Sequence, residues 1–119
     1  MTPTKISRAK GAMAGLAVGD ALGRPVEGLS AEEIRKNYGS INDFLSKTPG
    51  GSDDTEYAIL TGLAIKKYGT AITAQDFAHE WLENVCYQSE EFLGAGFSDS
   101  SAIANLKDRK STRLNSSHA

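Results

Sequence analysis

The chain has 119 residues, 39% of them hydrophobic and 24% charged, with a formal net charge of −2. That is the size of one domain around a single core. No run nears the roughly 18 consecutive apolar residues of a membrane span, and the weakly acidic balance lacks the basic footprint of a nucleic-acid binder. The single cysteine, Cys86, excludes an intrachain disulfide and reads as a small buried apolar residue.

Lys5, Arg8 and Lys10 precede the apolar run 11–18, a faint outline of a secretory signal. Asp20 and Arg24 interrupt it, and the run is rich in Gly and Ala rather than Leu. It reads as a core helix of a cytoplasmic protein. That helix is predicted over 4–23, with Ile6, Met13, Leu16 and Ala17 as its apolar stripe. Gly11, Gly15, Gly19 and Gly23 recur every fourth residue, each costing about 1 kcal/mol relative to Ala. Their spacing predicts close packing against another helix. Pro25 and Gly28 then mark a loop.

Ser30 and Glu33 have capping-box spacing and open a short helix over 31–37. Gly39, Pro49, Gly50 and Gly51 make 38–52 a loop. Ser52 can cap a helix over 53–68 bearing Tyr57, Leu60, Leu63 and Ala64 on its apolar face, with Gly69 as its stop. Thr73 and Asp76 start another over 74–86, burying Phe77, Trp81, Leu82 and Val85. His79 falls on the polar side with no partner at metal-ligand spacing. Residues 87–97 read as loop and 98–106 as a last short helix. No segment alternates with period two, so the class is all-α, with one domain over 1–106.

The last 13 residues, KDRKSTRLNSSHA, differ in character. They hold four of the 13 basic residues and one of the 15 acidic ones, which leaves residues 1–106 with a net charge of −5. One large apolar residue, Leu114, and no periodicity make 107–119 a disordered tail. RKSTRLNSSHA also resembles a tail that recurs on unrelated predicted proteins as a sequencing or assembly artefact. On that reading the natural chain departs from this one near Leu106.

Two places carry candidate chemistry. Ser52-Asp53-Asp54-Thr55 follows Gly50-Gly51 and sets two carboxylates and two hydroxyls at a helix start. Hard divalent cations take such oxygens, and a pair of them can share a carboxylate and orient a water. Ser at the N-cap with Asp in the first turn is also ordinary helix capping. The second place is 19–28, GDALGRPVEG. Asp20 sits in a small, apolar helix surface, where a carboxylate is costly unless hydrogen-bonded or near a cation. Glu27 follows a proline loop from which a carboxylate can swing over a site. Alone, each segment reads equally well as local structure.

Together, GAMAGLAVGDALGRPVEG and GGSDDTEYAILTGLA resemble the N-terminal part of the ADP-ribosylglycohydrolase family, the ADP-ribosyl-acceptor hydrolases, over roughly residues 7–106. Gly94–Ser101 is similar, more weakly, to the family's next Gly-containing helix start. The resemblance implies an all-α orthogonal bundle holding two Mg²⁺ or Mn²⁺ ions. It implies hydrolysis of the glycosidic bond between ADP-ribose and an acceptor, on an ADP-ribosylated protein or a small ADP-ribose conjugate. Carried over, Ser52, Asp53 and Asp54 are metal ligands, with Ser52 standing where many members have Thr. Glu27 matches the loop glutamate over the scissile ribose, a gate or base. Asp20 and Thr55 are supporting residues.

The family's second motif, D-x-D-[T/S], and its G-N-G segment do not occur in the 119 residues; Asp99 is followed by Ser100 and Ser101. The resemblance therefore implies a truncated bundle with half a metal cluster, inactive by itself, from an active hydrolase. The alternative is a non-catalytic structural or binding module of the same fold, of crystallin-like type. The presence of Glu27 and Ser52-Asp53-Asp54 argues against it.

Overall fold

The computed structural model describes residues 2–86 and 100–109. Every regular element among them is helical. None is long and apolar enough to cross a membrane. Contacts group the chain into two compact units, one up to Ala58 and one from Ile59 onward.

In the first unit α1 spans Lys5–Gly23, and Thr4 caps it by accepting the Ser7 N–H at 3.1 Å. A 3₁₀ turn, Arg24–Val26, continues it, because Pro25 fixes φ for a first turn and removes a donor that a helix interior needs. α2 spans Ala31–Tyr38 behind the predicted capping box. The Ser30 N–H donates to Glu33 Oε2 at 2.7 Å, and Ser30 Oγ accepts the Glu33 N–H at 3.2 Å. α3 begins in this unit and spans Asp53–Tyr68, the predicted range.

Two expectations for α1 fail. Ile6 is 69% exposed, and Met13 and Leu16 are also exposed, so of the predicted stripe Ala17 alone is half-buried among the described residues. Nothing described lies within 4 Å of a Cβ built at Gly11, Gly15, Gly19 or Gly23, so no close helix partner among the described residues occupies that side. The shielded face of α1 is Ala17, Asp20 and Ala21, at the i, i+3, i+4 spacing of one helix face. The first unit's one buried residue among those described is polar, Ser52.

In the second unit Gly69 ends α3 with φ +75°, a conformation that side-chain-bearing residues rarely adopt. A 3₁₀ turn, Gly69–Ala71, leads to α4, Ala74–Trp81, again with its predicted capping box, here between Thr73 and Asp76. The predicted helix over 74–86 changes character at its end, where Leu82–Cys86 is a π-helical turn. Asn84 Nδ2 donates to the Glu80 carbonyl at 2.9 Å, a side chain entering the backbone ladder where the helix widens. Among the described residues Ala64, Val85 and Cys86 are the buried apolar ones, and all three lie in this unit.

Residues 100–109 form α5. The helix passes the predicted boundary at 106 and takes in Lys107 and Arg109, whose charges suit the negative end of its dipole. The remainder of the predicted tail, the predicted loop 87–97 and the Gly94 motif up to Asp99 lie outside the described residues.

Candidate functional site

The site is built where α1 meets the start of α3. The Asp20 carboxylate, half-buried on α1, takes four donors from one short segment. Oδ2 accepts the Ser52 N–H at 2.6 Å and Oδ1 accepts the Ser52 hydroxyl at 2.7 Å. Oδ2 also accepts the Thr55 hydroxyl at 2.5 Å and the Thr55 N–H at 3.3 Å. An anion among the free N–H groups of a helix start is favoured by both hydrogen bonding and the helix dipole. Unusually, this anion comes from a different helix. The Thr55 hydroxyl and then the Ser52 donors outweigh the desolvation of the carboxyl and hold its pKa down at about 2.

Ser52 is used in two directions. Its hydroxyl donates to Asp20 while its oxygen accepts the Asp54 N–H at 3.2 Å, which makes it the cap of α3. The backbone here runs so close to Asp20 that only glycine fits before it. A Cβ at Gly51 would stand 2.7 Å from Thr55 Oγ1 and 3.0 Å from Asp20 Oδ2. Arg24, one helical turn beyond Asp20, donates from Nη1 to the Gly51 carbonyl at 2.5 Å. Asp20 and Arg24 thus hold the 51–55 segment from one side of α1. Sequence reading missed Arg24; its i+4 spacing from Asp20 was the available signal.

The structure brings Asp20, Ser52 and Thr55 into direct contact and sets Asp53 and Asp54 beside them on the first turn of α3. The carboxylates of Asp53, half-buried, and Asp54, exposed, make no hydrogen bond or ion pair with the described residues. Glu56 Oε2 is buried without a partner among them. Glu27 is exposed at the end of the 3₁₀ turn, where its N–H bonds the Arg24 carbonyl at 3.3 Å. Its carboxylate is not bonded to the Asp20 cluster.

These donors suit a hard cation: two uncommitted carboxylates, a hydroxyl oxygen and an orphaned carboxylate oxygen, with no soft ligand. Among the described residues no group of three or more His, Cys, Asp and Glu stands ready as a complete metal cage. The residues present fit part of a coordination shell.

A second polar cluster, in the second unit, escaped sequence reading. Glu80 is buried, with Lys67 Nζ at 2.6 Å, Tyr68 OH donating at 3.0 Å and Asn84 Nδ2 at 2.9 Å. The ammonium and then the phenol hold the Glu80 carboxyl below its usual range, and Glu80 raises the Lys67 pKa in return. The signal was Glu80 at i+3 from Phe77, inside the face otherwise read as apolar.

The profile of the ADP-ribosylglycohydrolase family matches residues 1–118. The chain belongs to that family. Among curated proteins it is 51% identical to an uncharacterized protein of Archaeoglobus fulgidus, over 43% of this chain and 19% of that one. It is 38% identical to the ADP-ribosyl-[dinitrogen reductase] glycohydrolase of Rhodospirillum rubrum, over 69% of this chain and 31% of that enzyme. The chain therefore spans less than a third of the length of either relative. No solved structure matches it.

Proposed function

We propose that these residues carry one half of the metal site of a hydrolase that cleaves the glycosidic bond between ADP-ribose and its acceptor. Ser52, Asp53 and Asp54 are the metal ligands, and Mg²⁺ or Mn²⁺ is the cation. The substrate is an ADP-ribosylated protein or a small ADP-ribose conjugate. The relative whose name gives ADP-ribosyl-dinitrogen reductase as its substrate supports the reaction class. One observation carries the ligand reading. Asp20 supplies the anion that α3 needs at its start, so the carboxylates of Asp53 and Asp54 are left uncommitted. In ordinary capping their charge would itself answer the positive end of the helix dipole.

When bound, the divalent pair supplies positive charge for sugar hydroxyls and for a water poised at the anomeric carbon. The chain's own part is positional and electrostatic. Asp53 and Asp54 gather negative charge at one helix start, and Ser52 adds a neutral oxygen between them and Asp20. Glu27, on its turn after Pro25, keeps an unengaged carboxylate that can take a proton from the attacking water or close over the ribose. Thr55 and Asp20 fix the segment that carries the ligands. Hydrolysis of this kind runs by orientation and charge stabilisation, without a covalent nucleophile.

The test is Mn²⁺ binding by the 119-residue chain, read by the electron paramagnetic resonance signal of free Mn²⁺. We expect binding that falls at least about tenfold in D53N and in D54N, with no release of ADP-ribose by the chain alone. Equal binding by the wild type and both variants would remove Asp53 and Asp54 from the site. Robust metal-dependent release by the chain alone would show that no second half is needed.

A further inference from the structure

We propose that Asp20 is a positioning residue that fixes the direction of the Ser52 hydroxyl, so that the serine oxygen keeps a lone pair turned toward the cation. This rests on the reading of Ser52 as a ligand and goes beyond it, because it assigns Asp20 a specific action through Ser52.

A serine hydroxyl has one proton and two lone pairs, and left alone it rotates. Here the rotation is closed off. An ionised carboxylate only accepts, so at 2.7 Å from Oδ1 the Ser52 hydroxyl must be the donor. One lone pair then takes the Asp54 N–H at 3.2 Å. The other has no partner within the described residues, and its direction follows from the two that do. Hydrogen bonding to an anion also enriches the serine oxygen in electron density, which makes a neutral hydroxyl a better ligand for a hard cation.

Asp20 is itself held. The backbone N–H groups of Ser52 and Thr55 and the Thr55 hydroxyl occupy Oδ2, which leaves Oδ1 for the Ser52 hydroxyl alone. One oxygen anchors the carboxylate and the other orients the ligand. The lack of a side chain at Gly51 lets the carboxylate come this close. An amide at position 20 breaks the arrangement: its oxygen can serve the anchoring donors, but its N–H₂ can only donate to the Ser52 oxygen, which takes up a lone pair and turns the serine proton away.

The experiment is a double-substitution cycle on Mn²⁺ affinity, with Mn²⁺ alone as the probe and the helical circular dichroism of each variant recorded. D20N is expected to bind about tenfold more weakly. S52A is expected to bind more weakly as well, and S52T, which keeps the hydroxyl, to stay within about twofold of wild type. In the S52A background D20N is expected to cost nothing further, because Asp20 acts through the hydroxyl that S52A removes. Additive losses would show a general structural role and overturn the proposal, as would D20N binding like wild type. If D20N loses its helical spectrum, D20E takes its place. It keeps both acceptors but carries them one methylene further, and the same non-additive loss is expected. A wild-type chain that binds no Mn²⁺ overturns the ligand reading together with this one, whereas normal wild-type binding with an unaffected D20N overturns this one alone.

Discussion

Asp20 and Ser52 are 32 residues apart and joined twice, the backbone N–H on one carboxylate oxygen at 2.6 Å and the hydroxyl on the other at 2.7 Å. The link should be visible in the pH dependence of stability. Asp20 has a pKa near 2 when folded against 3.8 for a free side chain. A depressed acid adds stability that is complete above its unfolded value and disappears as pH falls through its folded one. The gain is thus full above about pH 4 and lost toward pH 2. Taken whole, a shift of this size corresponds to somewhat over 2 kcal/mol; screening of a partly exposed group reduces it to about 1 kcal/mol. Urea unfolding at pH 5 and pH 2.5 should show that loss in the wild type and a smaller one in D20N. Equal acid sensitivity of the two would remove Asp20 from the balance.

Gly51 makes a sharper steric case. A methyl group there meets Thr55 Oγ1 at 2.7 Å and Asp20 Oδ2 at 3.0 Å, both of them tied into the same hydrogen-bond network. Neither can move without loosening the start of α3. G51A should lose about 1–3 kcal/mol, the usual cost of overpacking. G50A is the control, since the nearest atom to its Cβ is Arg24 Nη1 at 3.9 Å. Thermal melts of the pair should separate them clearly; equal melting temperatures would mean that the segment yields.

The contrast between those two glycines shows how far the sequence was legible. Helix ranges were readable wherever a cap announced them: Ser30 with Glu33, Ser52 before Asp53, Thr73 with Asp76. Each is a local signal read within one turn. The π-helical turn after Trp81, where Asn84 reaches back to the Glu80 carbonyl, was not, because apolar spacing alone does not distinguish it from continued α-helix. At the site, the residue types in 52–55 announced cation chemistry. That Asp20 would cap a helix 32 residues away, with Arg24 beside it on Gly51, is a tertiary fact with no periodicity to betray it. The face of α1 went wrong for the same reason. Apolar spacing pointed to Ile6 and Leu16, while the contacts that form are polar and gather on the Asp20 side.

Glu80 is the buried charge of the second unit, and Lys67 is its counterion at 2.6 Å. Among the described residues, K67M leaves the carboxylate the Tyr68 hydroxyl and the Asn84 amide. Lys67 is 58% exposed and Glu80 only 10%, so removing the ammonium leaves a shielded carboxylate poorly compensated, with solvent screening part of the loss. K67M should therefore melt several degrees lower, and K67M/E80Q should recover part of the loss. The pH signs are opposite for the two partners. Glu80, held low, contributes fully above its unfolded pKa and loses that contribution as pH falls through its depressed one; Lys67, held high, contributes fully below its unfolded pKa and loses it as pH rises through its raised one. The pair's own contribution, read as the difference in melting temperature between wild type and K67M, should be constant between those unfolded values. A K67M profile identical to that of the wild type would show the pair to be idle.

Glu27 is the prediction on which chemistry and stability part company. It is exposed, and its carboxylate has no described partner, so E27Q should change the melting temperature of the chain by less than about 1 kcal/mol in equivalent free energy. Nothing in the fold needs that charge. The proposed reaction does, because a carboxylate can accept the proton of the attacking water and the Gln amide cannot. In a hydrolase of the relatives' full length that carries these residues, E27Q should lower the rate of ADP-ribose release about 10²–10⁴-fold, the range typical of a general base. E27D should keep part of the rate, since it retains the charge on a shorter arm. Full activity in E27Q would leave Glu27 as a solvated loop residue and move the proton acceptor elsewhere.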